Sequence, residues 1–231
     1  MSKSRIVWML CAITICRSGS FASSLPILNP DLSAVPILCG GGYAYQAFGG
    51  NCGSDPPQQN FNGSPGFGWK FGLVAGNGLT GPNTAFQPPD FTGLPFSQAA
   101  FLQDKGSELS QTIGGFDAGG SYLLSFYLGS RYYSGGVDGN QTVEALIDGD
   151  VIGTWTLTSF TPFTLEAAAF AVNSGGDHTL EFLGLIAGDH TAFLSGVAID
   201  STPEPAPLVM IGTGLLLLAG LLSRHSRPES R

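Results

Sequence analysis

Aromatic rings and a single arginine are the side chains of this sequence best suited to hold a ligand. Neutral sugars are bound by aromatic faces that stack on the sugar ring, with a few polar groups that fix the hydroxyls. Arg131 is one of only three basic residues between positions 23 and 202, so it would anchor an acidic or hydroxyl-rich sugar. Core packing is the alternative role for each aromatic residue. The predicted sugar-binding set comprises Trp69, Tyr127, Arg131, Tyr132, Tyr133 and Trp155.

Carboxylate pairs for glycoside hydrolysis would have to lie about 5 to 10 Å apart. Glu144, Glu166 and Glu181 are the candidates, each inside a strand-like segment with an apolar residue on both sides. This pattern favours a solvated strand face over a catalytic pair. No GxSxG motif is present, and Ser195 lies inside a strand-like segment, so serine-nucleophile chemistry has no support. We therefore expect a protein that is not an enzyme.

A Gly-Asp-His-Thr sequence occurs twice, at residues 176–179 and 188–191. Aspartate and histidine bind metals, so the two copies could form one site if their turns met in space. A strand of about ten residues separates the turns by roughly 30 Å, however. Turn formation by aspartate, with an exposed histidine starting each strand, is therefore the preferred interpretation of Asp177, His178, Asp189 and His190.

Short β-strands are the elements that would position these side chains. From residue 99 onward, aromatic and β-branched segments alternate with Gly and Asp turns, without a helical period. Asp148-Gly149 predicts a two-residue hairpin turn. Tyr122, Leu124, Phe126 and Leu128 share one strand face, which predicts that this face is buried. Strands are predicted at 99–103, 108–113, 122–132, 141–147, 151–158, 163–170, 178–185 and 192–200, with one more near 66–75 and a loop at 76–97.

These strands predict an all-β fold, a single antiparallel β-sandwich of eight or nine strands. The segments QAAFLQDKGSELSQTIGGFDAGGSYLLSFYLGSR, QTVEALIDGDVIGTWTL and HTLEFLGLIAGDHTAFLSGVAI resemble galactose-binding-like jelly rolls, the fold of many carbohydrate-binding modules. Gln111 and the Gly120-x-Tyr122-x-Leu124-x-Phe126 strand carry much of the resemblance, which covers about residues 60–200. Ser195 departs from it, because such domains commonly have a carboxylate there.

A structural calcium ion is the one cofactor that this resemblance brings into consideration, since jelly rolls of this type often carry one. No spaced loop such as DxDxDG occurs in the sequence, and no other cofactor is predicted. Hairpin-turn roles are the preferred interpretation of the weak candidates Asp138, Asp148 and Asp150.

The central part of the chain is strongly acidic. Residues 23–202 contain 15 acidic residues against 3 basic ones, a net charge of −12, which excludes nucleic acid as a partner. Cys39 and Cys52 are the only cysteines left once the first 22 residues are removed. In an exported protein such a pair predicts a disulfide, because the spacing is not CxxC and no histidine lies nearby.

The N-terminus has the pattern of a secretory signal peptide. Lys3 and Arg5 precede an apolar run at residues 6–16, and small residues precede a cleavage site after Ala22. An uncleaved signal anchor is the alternative, since Arg17 lies between the apolar run and that site.

The C-terminus has three parts in a fixed order. A Pro203-Glu204-Pro205 triplet precedes an uncharged run at 206–222, and a basic tail at 223–231 carries Arg224, Arg227 and Arg231. The run is long enough for a short membrane helix, and the arginines would hold the tail in the cytoplasm. This order resembles the PEP-CTERM sorting signal of Gram-negative bacteria, which implies processing by an exosortase. An ordinary tail anchor is the alternative.

These patterns divide the sequence into four predicted regions: a signal peptide (1–22), a Gly- and Pro-rich N-terminal extension (23–66), the sandwich (67–201) and the sorting signal (202–231). We expect an exported protein of the bacterial cell surface or extracellular matrix, anchored at its C-terminus before processing. Its expected partners are signal peptidase, an exosortase and an extracellular polysaccharide, with glycan binding or adhesion as its role. The alternatives are a jelly-roll polysaccharide lyase or glycoside hydrolase, and a purely structural matrix protein.

Overall fold

The computed structural model describes residues 22–47, 49–72, 76–131, 140–158 and 160–202. Residues 22–202 belong to one compact unit. In the parts described, no helix long and apolar enough to cross a membrane is found. The strands there are β1 Tyr43–Gln46, β2 Gln58–Gln59, β3 Lys70–Phe71, β4 Asn77–Thr80, β5 Ala99–Gln103, β6 Glu108–Phe116, β7 Ser121–Ser130, β8 Thr142–Ile147, β9 Asp150–Thr156, β10 Thr164–Ala171, β11 Gly176–Gly184 and β12 Thr191–Ser201.

The strands form two sheets that enclose a hydrophobic core. The seven-stranded sheet has the order β10-β7-β12-β5-β4-β1-β2, and the five-stranded sheet has the order β3-β6-β11-β8-β9. Neighbouring strands run antiparallel except β1 and β2, which are parallel. The predicted all-β sandwich is confirmed. The sequence pattern does not predict β1, β2 or β4, each of which has four residues or fewer.

Strand β7 shows how side-chain alternation builds the core. Tyr122, Leu124, Phe126 and Leu128 are all buried, as predicted, while Leu123 on the opposite face is 38% exposed. The Phe126 ring packs edge-on against Phe182 of the five-stranded sheet, at 4.8 Å between ring centroids. Successive side chains of a strand point to opposite faces, so Phe126 faces the five-stranded sheet. Its contact with Phe182 therefore joins the two sheets.

A second aromatic cluster covers part of the outer face of the seven-stranded sheet, over β5 and β12. Phe101 on β5 and Phe193 on β12 alternate with core residues and therefore point away from the main core. Phe86, from the segment after β4, packs on both rings at centroid distances of 4.3 and 5.8 Å. Gly78 of β4 is required here, since a Cβ at that position would lie 2.7 Å from the Phe101 ring. The predicted loop at 76–97 thus begins with a strand and then supplies a second core.

Residues 23–66, predicted as an extension, are built into the sandwich. Leu32 and Phe61 are fully buried in the main core, and β1 and β2 belong to the seven-stranded sheet. The Gln111 amide clamps the segment by accepting a hydrogen bond from Leu28 N at 2.8 Å and donating one to Leu28 O at 2.9 Å. The structure therefore has no domain boundary at residue 66.

The two ends of the described chain meet beside β12. Ser23 N donates to Ser201 Oγ at 2.8 Å, and Ser201 N donates back to Ser23 O at the same distance. Leu25 N continues the pairing with Ile199 O at 2.8 Å. The predicted signal peptide up to residue 21 and the predicted sorting signal from residue 203 lie outside the described residues.

Replacement of Phe126 by alanine tests the contact between the sheets. Phe126→Ala should lower the free energy of unfolding by about 3–5 kcal/mol, because it leaves a cavity between Phe182 and Trp155. Leu123→Ala on the same strand is the matched control and should cost about 0.5 kcal/mol. Chemical denaturation measures both values, and similar losses for the two variants would contradict the assignment of the faces.

Candidate functional site

An open groove of about 570 Å³ lies at one end of the seven-stranded sheet. The ends of β1 and β5 and the residues just before β4 and β12 meet there, because these neighbouring strands run antiparallel. Side chains of different chemistry therefore converge from distant parts of the sequence. The groove is lined by Tyr45, Gln46, Pro56, Gln58, Gly76, Gln103, Asp104, Gly188 and Asp189.

A chain of polar contacts orders one wall of the groove. The Tyr45 hydroxyl donates to Gln103 Oε1 at 2.5 Å, and Gln103 Nε2 donates to Asp189 Oδ1. Arg131 Nη1 donates to the same Asp189 oxygen at 2.8 Å. Both ends of the Gln103 amide are therefore engaged, and its orientation is fixed by its partners.

Tyr45 belongs to both the groove and the second aromatic cluster. Its ring packs edge-on against Phe101 and Phe86, at centroid distances of 4.9 and 5.7 Å. Burial, followed by the negative charge of Asp189, raises the pKa of Tyr45 to about 12. The phenol therefore remains protonated at neutral pH and acts as a hydrogen-bonding group.

Two carboxylates give the groove its charge. Asp104 Oδ1 accepts hydrogen bonds from the backbone N–H groups of Gly188 at 2.8 Å and Lys105 at 2.7 Å. These two bonds hold the pKa of Asp104 below its usual value, and the bond from Gly188 has the larger effect. The side chain of Asp189 is 57% exposed. Both groups therefore face the groove as hydrogen-bond acceptors.

Arg131, the predicted sugar anchor, lies behind this wall. Its side chain is only 13% exposed, and its Cζ lies 4.6 Å from the centroid of the Phe86 ring. A guanidinium over an aromatic face and against a carboxylate is held in place by both. Arg131 therefore acts on the groove through Asp189 and is not among the lining residues.

The other predicted sugar-binding residues lie elsewhere. Trp69 is 3% exposed, and its Nε1 donates to Asn29 O at 2.9 Å, so this ring is core and cannot stack on a ligand. Trp155 packs edge-on against Phe126 at 4.9 Å. Tyr127 is half-buried against Phe96 in the second cluster. None of the three lines the groove, and Tyr132 and Tyr133 lie outside the described residues.

The groove side near β1 and β2 is braced by a disulfide. Cys39 and Cys52 are bonded, and the loop that they close contains β1. The chain then continues to Gln58, which pairs with Tyr45 across the two parallel strands. Two groove-lining residues are thus held near one covalent link.

The two Gly-Asp-His-Thr copies do not meet. Asp189 lies in the groove, whereas His178 Nδ1 lies 2.5 Å from Asp148 Oδ2 and His178 Nε2 lies 2.9 Å from Ser174 O. His178 is 6% exposed, so the expectation of an exposed histidine is wrong there. Side chains two residues apart on a strand share a face, so His178 lies on the same buried face of β11 as Leu180 and Phe182.

Asp148 is the turn residue that the sequence predicts. It forms a two-residue turn with Gly149 between β8 and β9, and both residues have positive φ. Besides its contact with His178, it accepts a hydrogen bond from Thr179 N at 2.8 Å. Each of its two oxygens thus has a protein partner. Asp138 lies outside the described chain, in which no three Asp, Glu, His or Cys side chains converge.

The glutamates considered for catalysis lie away from the groove. Glu144 on β8 and Glu181 on β11 share the outward face of the five-stranded sheet, together with Glu108 on β6. Burial first, and then the charge of Glu108, raises the pKa of Glu181. Glu166 lies on β10 in the other sheet.

Comparisons with known proteins support the fold. No family model and no curated protein matches the chain. A Stig cyclase from Fischerella sp. TAU in complex with an indole compound is similar over 79% of this chain and 99% of its own, with a TM-score of 0.55 and 16% identity. A second cyclase complex from this organism matches 80% of this chain and 100% of its own, with a TM-score of 0.51 and 15% identity.

Weaker likenesses extend to a carbohydrate-binding module. A family 35 module from Clostridium thermocellum matches 58% of this chain and 88% of its own, with a TM-score of 0.37 and 10% identity. So low a score says nothing about what the present chain binds.

The similarity to cyclases overturns the expectation that this protein is not an enzyme. The cyclases that match about 80% of the chain are enzymes, so a sandwich of this fold can carry catalysis. At 15–16% identity the likeness concerns the fold, and it transfers neither a reaction nor catalytic residues.

The pair of Asp148 and His178 predicts a pH-dependent stability. The hydrogen bond with Asp148 raises the pKa of His178, while hydrogen bonds from Thr179 N and His178 lower the pKa of Asp148. The histidine contribution is complete below its unfolded pKa of about 6.5 and is lost as the pH rises through the folded value. The aspartate contribution is complete above its unfolded pKa of about 3.9 and is lost as the pH falls below that.

A double-mutant cycle of Asp148→Asn and His178→Gln measures this coupling by urea unfolding. The coupling free energy should be largest near pH 5 to 6 and smaller at pH 9, where the histidine is neutral. Its size is limited because the Asp148 side chain is 49% exposed. A coupling that does not change between pH 5 and 9 would contradict a charged pair.

Proposed function

We propose that the groove binds a hydroxyl-rich glycan and that the protein serves in glycan binding or adhesion. The observation that carries this proposal is the convergence of Tyr45 with amide and carboxylate side chains, including Gln58 and Asp189, in one open groove. Sugars are held by hydrogen bonds to their hydroxyls beside an aromatic ring. An open groove also admits a chain that continues at both ends, as a polysaccharide does.

The groove is suited to this task because its wall is ordered before a ligand arrives. Gln103 is fixed between Tyr45 and Asp189, and Arg131 holds Asp189 from behind. A ligand that meets a fixed wall does not have to order these side chains, which lowers the entropy cost of binding.

We also propose that the protein is exported and processed at both ends. The signal-like segment 1–22 and the Pro203-Glu204-Pro205 order support signal peptidase and exosortase as partners. The Cys39–Cys52 disulfide suits an oxidising compartment. The resulting location is the cell surface or the extracellular matrix of a Gram-negative bacterium, in association with exopolysaccharide.

Two other functions compete with simple retention of a glycan. A polysaccharide lyase or hydrolase would bind the polymer and shorten it, whereas a purely structural matrix protein would bind no polymer. Affinity electrophoresis combined with measurement of polymer length distinguishes the three. If the polymer is still shortened after Glu144→Gln and Glu181→Gln exchange, those two glutamates do not catalyse its cleavage.

Groove variants test the binding proposal directly. Gln58→Ala and Asp189→Ala should each weaken glycan binding by about 5- to 10-fold, because each removes a hydrogen-bonding group. Asp117→Ala is the matched control, since this exposed residue lies in the turn after β6, remote from the groove. A glycan array with the full chain measures the effect. Equal losses in all three variants, or no binding by the parent chain, would contradict the proposal.

Intact mass tests the export proposal. Protein recovered from outside the cell should begin at Ser23 and should lack the apolar run at 206–222. Replacement of Pro203, Glu204 and Pro205 by alanine should leave that run attached. Recovery of the parent chain with its C-terminal arginines would contradict exosortase processing and favour a permanent anchor.

A further inference from the structure

The groove presents more acceptors than donors to a ligand. Asp189 Oδ1 receives both Gln103 and Arg131, while no described residue donates to Asp189 Oδ2. Asp104 has the same arrangement, with two backbone donors on Oδ1 and none on Oδ2 within the described chain. Two carboxylate oxygens therefore remain for the ligand.

The amide donors of the groove are largely engaged within the protein. Gln103 Nε2 is bound to Asp189, and Gln46 Nε2 donates to Asn60 Oδ1 at 3.0 Å. The amide of Gln58 is different, because its side chain makes no hydrogen bond with the residues that the structure describes. A ligand thus meets one uncommitted amide among the glutamines and two carboxylate oxygens.

The guanidinium of Arg131 lies behind the groove wall. Arg131 is paired with Asp189 and lies against the Phe86 ring, so it neutralises one of the two groove carboxylates from behind. Lys105 follows Asp104 but is not a lining residue. The sandwich around the groove is acidic as well, with a net charge of −12 over residues 23–202. The field at the groove is therefore negative.

We infer that the groove selects neutral or amino-bearing glycans and rejects glycans that carry carboxylates or sulfates. Asp189 and Asp104 are its specificity-determining residues. They accept hydrogen bonds from hydroxyls or ammonium groups, and they repel an anion. This inference rests on the proposed function and replaces the expectation that Arg131 anchors an acidic sugar.

The test compares glycans that share one backbone and differ in charge. The full chain is titrated with β-1,4-linked polymers of glucose, glucosamine and glucuronic acid, and with neutral and sulfated galactans, at low salt and in 0.5 M NaCl. Each acidic polymer should bind about tenfold or more weakly than its uncharged counterpart at low salt, and salt should narrow the difference. The amino polymer should bind at least as well as the neutral one.

Isosteric variants connect the selectivity to the two residues. Asp189→Asn and Asp104→Asn keep the shape and an acceptor oxygen, so each should reduce the preference against acidic polymers by about threefold or more. Asp117→Asn changes the net charge equally, far from the groove, and should leave the preference unchanged.

The outcomes separate this inference from the proposed function. Acidic polymers bound as tightly as neutral ones would overturn the selectivity while leaving glycan binding intact. An Asp117→Asn effect equal to that of Asp189→Asn would also overturn it, because net charge rather than the groove would then decide. No binding to any polymer would overturn the proposed function and the inference together.

Discussion

Burial of the central strands β5 and β12 on both faces of the seven-stranded sheet is the constraint on which the rest of the structure depends. Leu102 and Leu194 face the main core, while their neighbours Phe101 and Phe193 face the second aromatic cluster. These two strands have no face left for water, so they can offer contacts to a ligand only at their ends. The groove lies at such an end, and Tyr45 connects it to the second cluster.

This arrangement fixes the positions of the polar and charged side chains in the groove wall. The Tyr45 ring is fixed by packing, its hydroxyl fixes Gln103, and Gln103 shares Asp189 with Arg131. Phe86, which lies beneath the guanidinium, belongs to the same aromatic cluster as Tyr45. Packing and polar contacts thus depend on each other, and loss of the aromatic cover would disorder the groove wall as well.

Much of the sandwich could be predicted because its longer strands carry strong local signals. The two-residue turn at Asp148-Gly149 and the alternation along β7 depend on neighbouring residues, so sequence alone indicates them. β1, β2 and β4 have two to four residues each, too few to show a period. Leu32 and Phe61 were missed as core for a related reason, since Gly- and Pro-rich turns separate them.

The groove was harder to predict than the fold. Tyr45, Gln58, Gln103 and Asp189 come from four distant positions, and only the pairing register of the sheet brings them together. The alternation of Tyr43 and Tyr45 in YAYQ was the one local signal that an aromatic face lay there. Arg131 stands out in the sequence as one of few cations, but its direction depends on Asp189 and Phe86, which the sequence does not place beside it.

The two ends of the described chain meet at the end of β12 that lies away from the groove. β12 begins at Thr191 next to the groove and ends at Ser201, where Ser23 is paired to it. The eleven residues of β12 span roughly 35 Å, so the groove and the paired chain ends lie at opposite ends of this strand. A substitution at the paired chain ends, near Ser23 or Ser201, is therefore separated from the groove wall by the length of a strand.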